Sequence, residues 1–157
     1  MQKITPFLWF NGQAEEAAKF YTSIFKNSKL GIISRFGENE HGEPGKVMAA
    51  SFVLDGMEFT ALNGGPEFSF TPAISFLVHC ASQEEVDWYW EKLSASKEDE
   101  QCGWLKDKFG VSWQIVPDIL FELMGDPDPE KAARVTQAML QMKKIDIAGL
   151  KRAYAQG

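Results

Sequence analysis

Gly110-Val111-Ser112-Trp113-Gln114-Ile115-Val116 decides the reading of this chain, because part of it has a counterpart upstream. Gly56-Met57-Glu58-Phe59-Thr60 repeats the order glycine, apolar, polar, aromatic, polar, 54 positions earlier. Alternation of that kind is the mark of a strand with one face buried. Each copy follows a turn signal: Asp55-Gly56 is a two-residue hairpin signal, and Phe109-Gly110 closes the second hairpin.

A second set of matches has an offset of 69: Phe7-Leu8 with Phe76-Leu77, Glu15-Glu16 with Glu84-Glu85, and Phe20-Tyr21 with Tyr89-Trp90. A strand, a turn and a helix therefore recur in step. Such self-similarity is the sequence sign of a repeated supersecondary unit. The offsets differ by 15, so the second copy is shorter in its middle, and the first holds an extra polar loop over 37–45.

In detail, Ile4 to Phe10 reads as a buried strand. Asn11-Gly12 ends it and can cap a helix from about 13 to 26, striped by Ala14, Ala17, Ala18, Tyr21, Ile24 and Phe25. Strands follow over about 30–36, 46–54 and 57–62, and Asn63-Gly64-Gly65-Pro66 breaks the pattern. The second round reads as a strand over 74–79, a helix over 83–95 opened by the capping box Ser82…Glu85, and a hairpin of 103–108 with 111–116. Beyond Pro117 the texture is helical. A short helix spans 119–124, another spans 129–143 after Asp128-Pro129, and Asp146 can cap a last one bearing Ile147, Leu150 and Tyr154.

The expected fold class is α+β, in a single domain over 1–157. Two βαβββ modules, about 3–64 and 73–117, form a curved mixed, largely antiparallel sheet cup with helices outside, and a C-terminal helical extension covers 118–157.

Composition narrows the function. The chain is 45% hydrophobic and 13% aromatic, with five Trp and twelve Phe, enough to fill a core or line an apolar pocket. Net charge is −6 with no Lys/Arg cluster, which argues against nucleic acid. No segment reaches the apolar length of a membrane span, and the N-terminal residues lack a signal-peptide pattern, so the expected location is cytoplasmic. Cys80 and Cys102 are then read as thiols.

The paired modules resemble the vicinal oxygen chelate superfamily, which contains glyoxalase I, bleomycin-resistance proteins and extradiol dioxygenases. A narrower resemblance is to its PhnB-like branch, often labelled 3-demethylubiquinone-9 3-methyltransferase. It rests on Ile4-Thr5-Pro6-Phe7-Leu8-Trp9-Phe10, on Ala14-Glu15-Glu16-Ala17 with Phe20-Tyr21, on Asn63-Gly64-Gly65-Pro66 and on the run from Cys102 to Pro117. The tail Asp128-Pro129-Glu130-Lys131 and Met142-Lys143-Lys144-Ile145-Asp146-Ile147 is similar too.

The resemblance implies a divalent metal held by His, Gln or Glu on the first and last strands of each module. Counted across, those positions fall on Pro6, Thr60, Ala73 and Gln114. Pro and Ala cannot ligate and Thr is a poor ligand, so no metal or other cofactor is expected. His41 and His79 lack metal-binding spacing and read as surface or hydrogen-bonded residues. Cys102 reads as a packing residue. A Rossmann-type methyltransferase would need a glycine-rich turn between strand and helix, whereas Asn63-Gly64-Gly65-Pro66 follows a hairpin strand.

What remains is the cup. Strand alternation, anchored on those counted positions, puts Leu8, Thr60, Leu62, Ser75, Leu77, Gln114 and Val116 on its inner face, with Trp104 as a further candidate. Phe7, Phe59, Phe76 and Trp113 then face the helices. The expected function is binding of an apolar or aromatic small molecule without metal; no catalytic residue is assigned. The alternatives are a metal-dependent lyase, isomerase or dioxygenase-like enzyme of the same fold, and a quinone-ring methyltransferase. A homodimer is expected from the resemblance and from Met139, Met142 and Leu150, which need cover by a second copy or by their own domain.

Overall fold

The computed structural model describes residues 2–156 and divides into two compact units, one ending at Phe70 and the next beginning at Thr71. The division falls in the stretch left between the two expected modules, and the C-terminal helices belong to the second unit.

In the first unit the order is β1 (Phe7–Phe10), α1 (Ala14–Ile24), β2 (Lys29–Arg35), β3 (Val47–Leu54) and β4 (Met57–Asn63). The sheet runs β1-β4-β3-β2, with β1 parallel to β4 and the other pairs antiparallel. The β3–β4 hairpin turns on Asp55 (φ 46°) and Gly56 (φ 82°), the double left-handed pair that a twisted two-residue turn needs. Small residues let α1 lie close on the sheet: Ala14, Ala17 and Ala18 are fully buried. Tyr21 stacks on Phe52 at 6.0 Å, and Phe52 on Phe59 at 5.3 Å. β2 is bulged between Leu30 and Ile33, where the Ser51 hydroxyl accepts from the Ile32 N–H at 2.8 Å.

The second unit contains β5 (Phe76–Cys80), α2 (Gln83–Leu93), a 3₁₀ turn at Lys97–Asp99, β6 (Trp104–Lys106), β7 (Ser112–Pro117), α3 (Asp118–Met124), α4 (Pro129–Leu140) and α5 (Ile147–Ala155). Its sheet runs β5-β7-β6, with β5 parallel and β6 antiparallel to β7. The α+β class holds, but this module is βαββ rather than the expected βαβββ. About ten residues separate α2 from β6, too few for the loop and strand that the first module inserts there.

Val116, Leu120, Val135, Ile145 and Leu150 form a buried cluster, with Met139, Met142 and Tyr154 packed against it. The apolar residues that asked for cover therefore find it inside their own unit. Asp128 caps α4 as its sequence suggests, accepting from the Glu130 N–H at 3.0 Å, with Pro129 in the first turn. Two other caps are corrections. Neither Asn11 nor Gly12 occupies the cap position of α1; Gln13 does, without a side-chain bond, and Asn63 Oδ1 accepts from the Ala14 N–H at 2.9 Å. Asp146 makes no side-chain cap on α5, where Gln83 Oε1 accepts from the Ile147 N–H at 2.7 Å. No described helix is long and apolar enough to cross a membrane.

Candidate functional site

Strand register decides which residues share a face. In the first unit Thr60 lies opposite Phe7 and Ser51, and Leu62 opposite Trp9 and Ala49. Phe7, Trp9, Ser51, Thr60 and Leu62 therefore stand on the face away from α1, where Phe7 is 65% exposed. Phe59 faces the helix, as expected. Leu8 does not join Thr60 and Leu62: it pairs with Ala61 and is buried on the α1 side. Leu8 and Phe7 thus exchange their expected places. Every position of Phe-Leu-Trp-Phe is apolar, so alternation carried no sign of which residues point inward.

Around Trp9 the open face is closed by the loop after β4. The indole N–H donates to the Gly65 carbonyl at 3.0 Å, and Phe68 meets the ring edge-on at 5.0 Å. A Cβ on Gly64 would run into the Trp9 ring. The Gly64-Gly65 pair thus serves indole packing. At the strand end Asn63 also donates from Nδ2 to the Val47 carbonyl at 3.0 Å, tying β3 to its α1 cap.

In the second unit Leu77, Gln114 and Trp104 lie side by side across three strands. Gln114 Nε2 donates to Ser75 Oγ at 2.9 Å, so these four candidates come together. Val116 shares the face by register but is covered by the C-terminal helical cluster. Phe76 and Trp113 occupy the opposite, buried side with Leu105 and Ile115, their rings 5.4 Å apart.

One grouping escaped the sequence reading, and a second was read only in part. Asp107 is 3% exposed and accepts three hydrogen bonds: from the N–H groups of Phe109 and Val111 at Oδ1, 2.9 and 3.0 Å, and from the Trp113 indole at Oδ2, 2.9 Å. The signal for it was an aspartate opening a turn with a tryptophan six residues on. The second is His79, which shares the face of Leu77. Its Nδ1 lies 3.1 Å from Asp118 Oδ1, and its ring centroid is 5.8 Å from that of Phe121. His79 is thus the hydrogen-bonded surface residue its sequence context suggested. The thiols differ: Cys80 is buried, and burial, then Glu85 and Asp118, push it up to about 12. Cys102 is part-exposed beside the Gln101 amide and the Leu140 carbonyl.

These donors do not fit a catalytic metal. Pro6 and Ala73 offer no side-chain ligand, Thr60 offers a hydroxyl, and Gln114, whose Nε2 donates to Ser75, adds a single neutral amide oxygen, short of the three protein ligands a catalytic ion needs. Among the described residues no group of three His, Cys, Asp or Glu could hold an ion.

Paired helix-on-sheet modules with one half-apolar open face each define a class of small α+β proteins. The chain belongs to the family described as 3-demethylubiquinone-9 3-methyltransferase, which matches residues 2–116. A PhnB protein from Bacillus cereus is 43% identical, covering 74% of this chain and 99% of that one, with a TM-score of 0.64. Protein PA1353 from Pseudomonas aeruginosa is 22% identical over 74% and 98% of the two chains, with a TM-score of 0.58. A glyoxylase/bleomycin resistance protein/dioxygenase domain from Frankia sp. aligns at 16% identity over 74% and 92%, with a TM-score of 0.47. No curated protein matches the chain. The family match stops at residue 116, so α3, α4 and α5 lie beyond it.

Proposed function

We propose that the protein binds an apolar or aromatic small molecule against its open sheet faces, without a metal ion. The observation that carries this reading is the second-unit face, where Leu77, 36% exposed, and Trp104 flank the hydrogen-bonded Gln114–Ser75 pair. An apolar floor with one oriented polar group suits a ligand of limited hydrogen bonding. Thr60 and Leu62, with Phe7 and Trp9, give the first unit the same kind of surface.

Titration with nitrobenzene, followed by amide and indole NMR shifts, tests the proposal. The expected result is saturable shifts at Leu77, Gln114 and the Trp104 indole, weakened by Gln114→Ala. Shifts confined to other surfaces would sink it. Stoichiometric Zn, Ni, Mn or Fe in purified protein would favour the metal-dependent enzyme instead. Calorimetric binding of S-adenosylmethionine would favour methyl transfer, which the family description names.

A homodimer belongs to the same proposal. Ile4, Ile32 and Phe68 are 65–80% exposed in the first unit, apolar side chains that a second copy would cover. A monomeric mass by light scattering at micromolar concentration would remove it.

A further inference from the structure

We propose that His79, held by Asp118, is a proton-accepting group at the second-unit face, and that the ligand there carries a weakly acidic ring hydroxyl. This rests on the binding reading above and adds the polar chemistry of its ligand.

The placement follows from the strand. Leu77 and His79 alternate onto one side of β5, and Ser75, just before the strand, joins them through its bond with Gln114. At about 3.3 Å per residue, Ser75 and His79 stand about 13 Å apart along the strand. The face is therefore apolar in the middle and polar at both ends. At one end Ser75 and Gln114 satisfy each other at 2.9 Å. At the other end stands the imidazole.

The His79 ring is positioned twice by one short helix. Asp118 takes its Nδ1 at 3.1 Å, and Phe121, one turn further along α3, packs on the ring at 5.8 Å. An ionised carboxylate only accepts, so Nδ1 must carry the proton that it shares with Asp118. In the neutral ring the lone pair is then on Nε2, on the opposite side of the imidazole. The side chain is 66% exposed, so a bound molecule can reach that nitrogen. A ring hydroxyl placed there donates to Nε2. If its proton crosses, the O–H bond breaks, an N–H bond forms, and the resulting imidazolium donates to Asp118 on one side and to the ligand oxyanion on the other. Asp118 is the positioning residue of this pair.

The test uses the full-length protein with 4-nitrophenol, whose phenolate absorbs visibly, and nitrobenzene, which has no hydroxyl. The measurement is made at a pH where free 4-nitrophenol is mostly protonated. The expected result is binding of 4-nitrophenol about tenfold tighter than nitrobenzene, the size of a hydrogen bond to an ionisable group, with growth of the phenolate band. His79→Gln should erase both differences, and Asp118→Asn should reduce the band. Imidazole ¹⁵N shifts of the free protein should show Nδ1 protonated and Nε2 bare, a readout independent of any ligand. If both compounds bind equally and His79→Gln changes nothing, this inference is overturned while the binding proposal stands. Binding of neither overturns both. A protonated Nε2 in the neutral ring overturns the inference alone.

Discussion

Asp107 shows how much one side chain can hold. A carboxylate buried to 3% exposure survives because three N–H groups converge on it. Asp107→Ala would remove the acceptor that all three share, and an unsatisfied buried group costs about 1–3 kcal/mol. Urea unfolding should show a loss of about 3 kcal/mol or more, and Asp107→Asn a smaller one, because a single amide oxygen remains. Gly64→Ala should cost about 1–3 kcal/mol by the same measurement, since a methyl group must displace the Trp9 indole. The cysteines make a chemical prediction. With Cys80 buried and pushed up to about 12, iodoacetamide at mildly alkaline pH should label Cys102 in the native protein, and Cys80 only after denaturation. Of this scale the sequence showed the faces of Thr60, Ser75 and Gln114, each a polar residue between two apolar ones. It misplaced Leu8, whose neighbours are all apolar, and missed Asp107 and the partner of His79, since these contacts form in a turn and with another helix.

At the scale of elements, periodicity located every helix and almost every strand to within a few residues. The exception was the strand expected in the middle of the second module. The length difference between the copies already contained that deletion, because a strand needs room to leave the sheet and come back. Caps were harder to read. Asn11 and Asp146 are suitable residues near helix starts, yet the donors at Ala14 and Ile147 go to Asn63 and Gln83. Local chemistry nominated the cap, and tertiary packing chose another. Replacing a capping side chain with Ala costs about 1 kcal/mol. Asn63→Ala should exceed that, because Val47 loses a partner as well. Gln83→Ala should free the Ile145 carbonyl along with the Ile147 N–H, and hydrogen exchange should then quicken in the first turn of α5 and not in α4.

At the scale of the molecule, the repeat was legible as two units, and the C-terminal helices as a helical tail, but not the tie that holds the tail down. Tyr154 donates to Asp126 Oδ2 at 2.7 Å, and Arg134 holds the Ala153 and Tyr154 carbonyls at 3.0 Å each. The phenol's hydrogen bond, then the Asp128 N–H, hold Asp126 below the usual carboxylate range, while the same phenol is raised by Asp126. A depressed carboxylate contributes stability above its unfolded pKa and loses it as pH falls through the folded value. A raised phenol contributes below its unfolded pKa and loses it as pH rises through the folded value. The bond therefore stabilises the fold between the carboxylate and phenol ranges and fades on both sides. Tyr154→Phe should lower the midpoint of thermal unfolding slightly near neutral pH and leave it unchanged at either extreme.

The two borrowed caps also put the helices on different clocks. Ala14 waits for an acceptor 49 residues further along the chain, whereas Ile147 finds one made 64 residues before it. On a ribosome that delivers the chain from its N-terminus, α1 emerges with its first turn unfinished until β4 follows. α5, which appears well after Gln83, meets a glutamine already waiting for it.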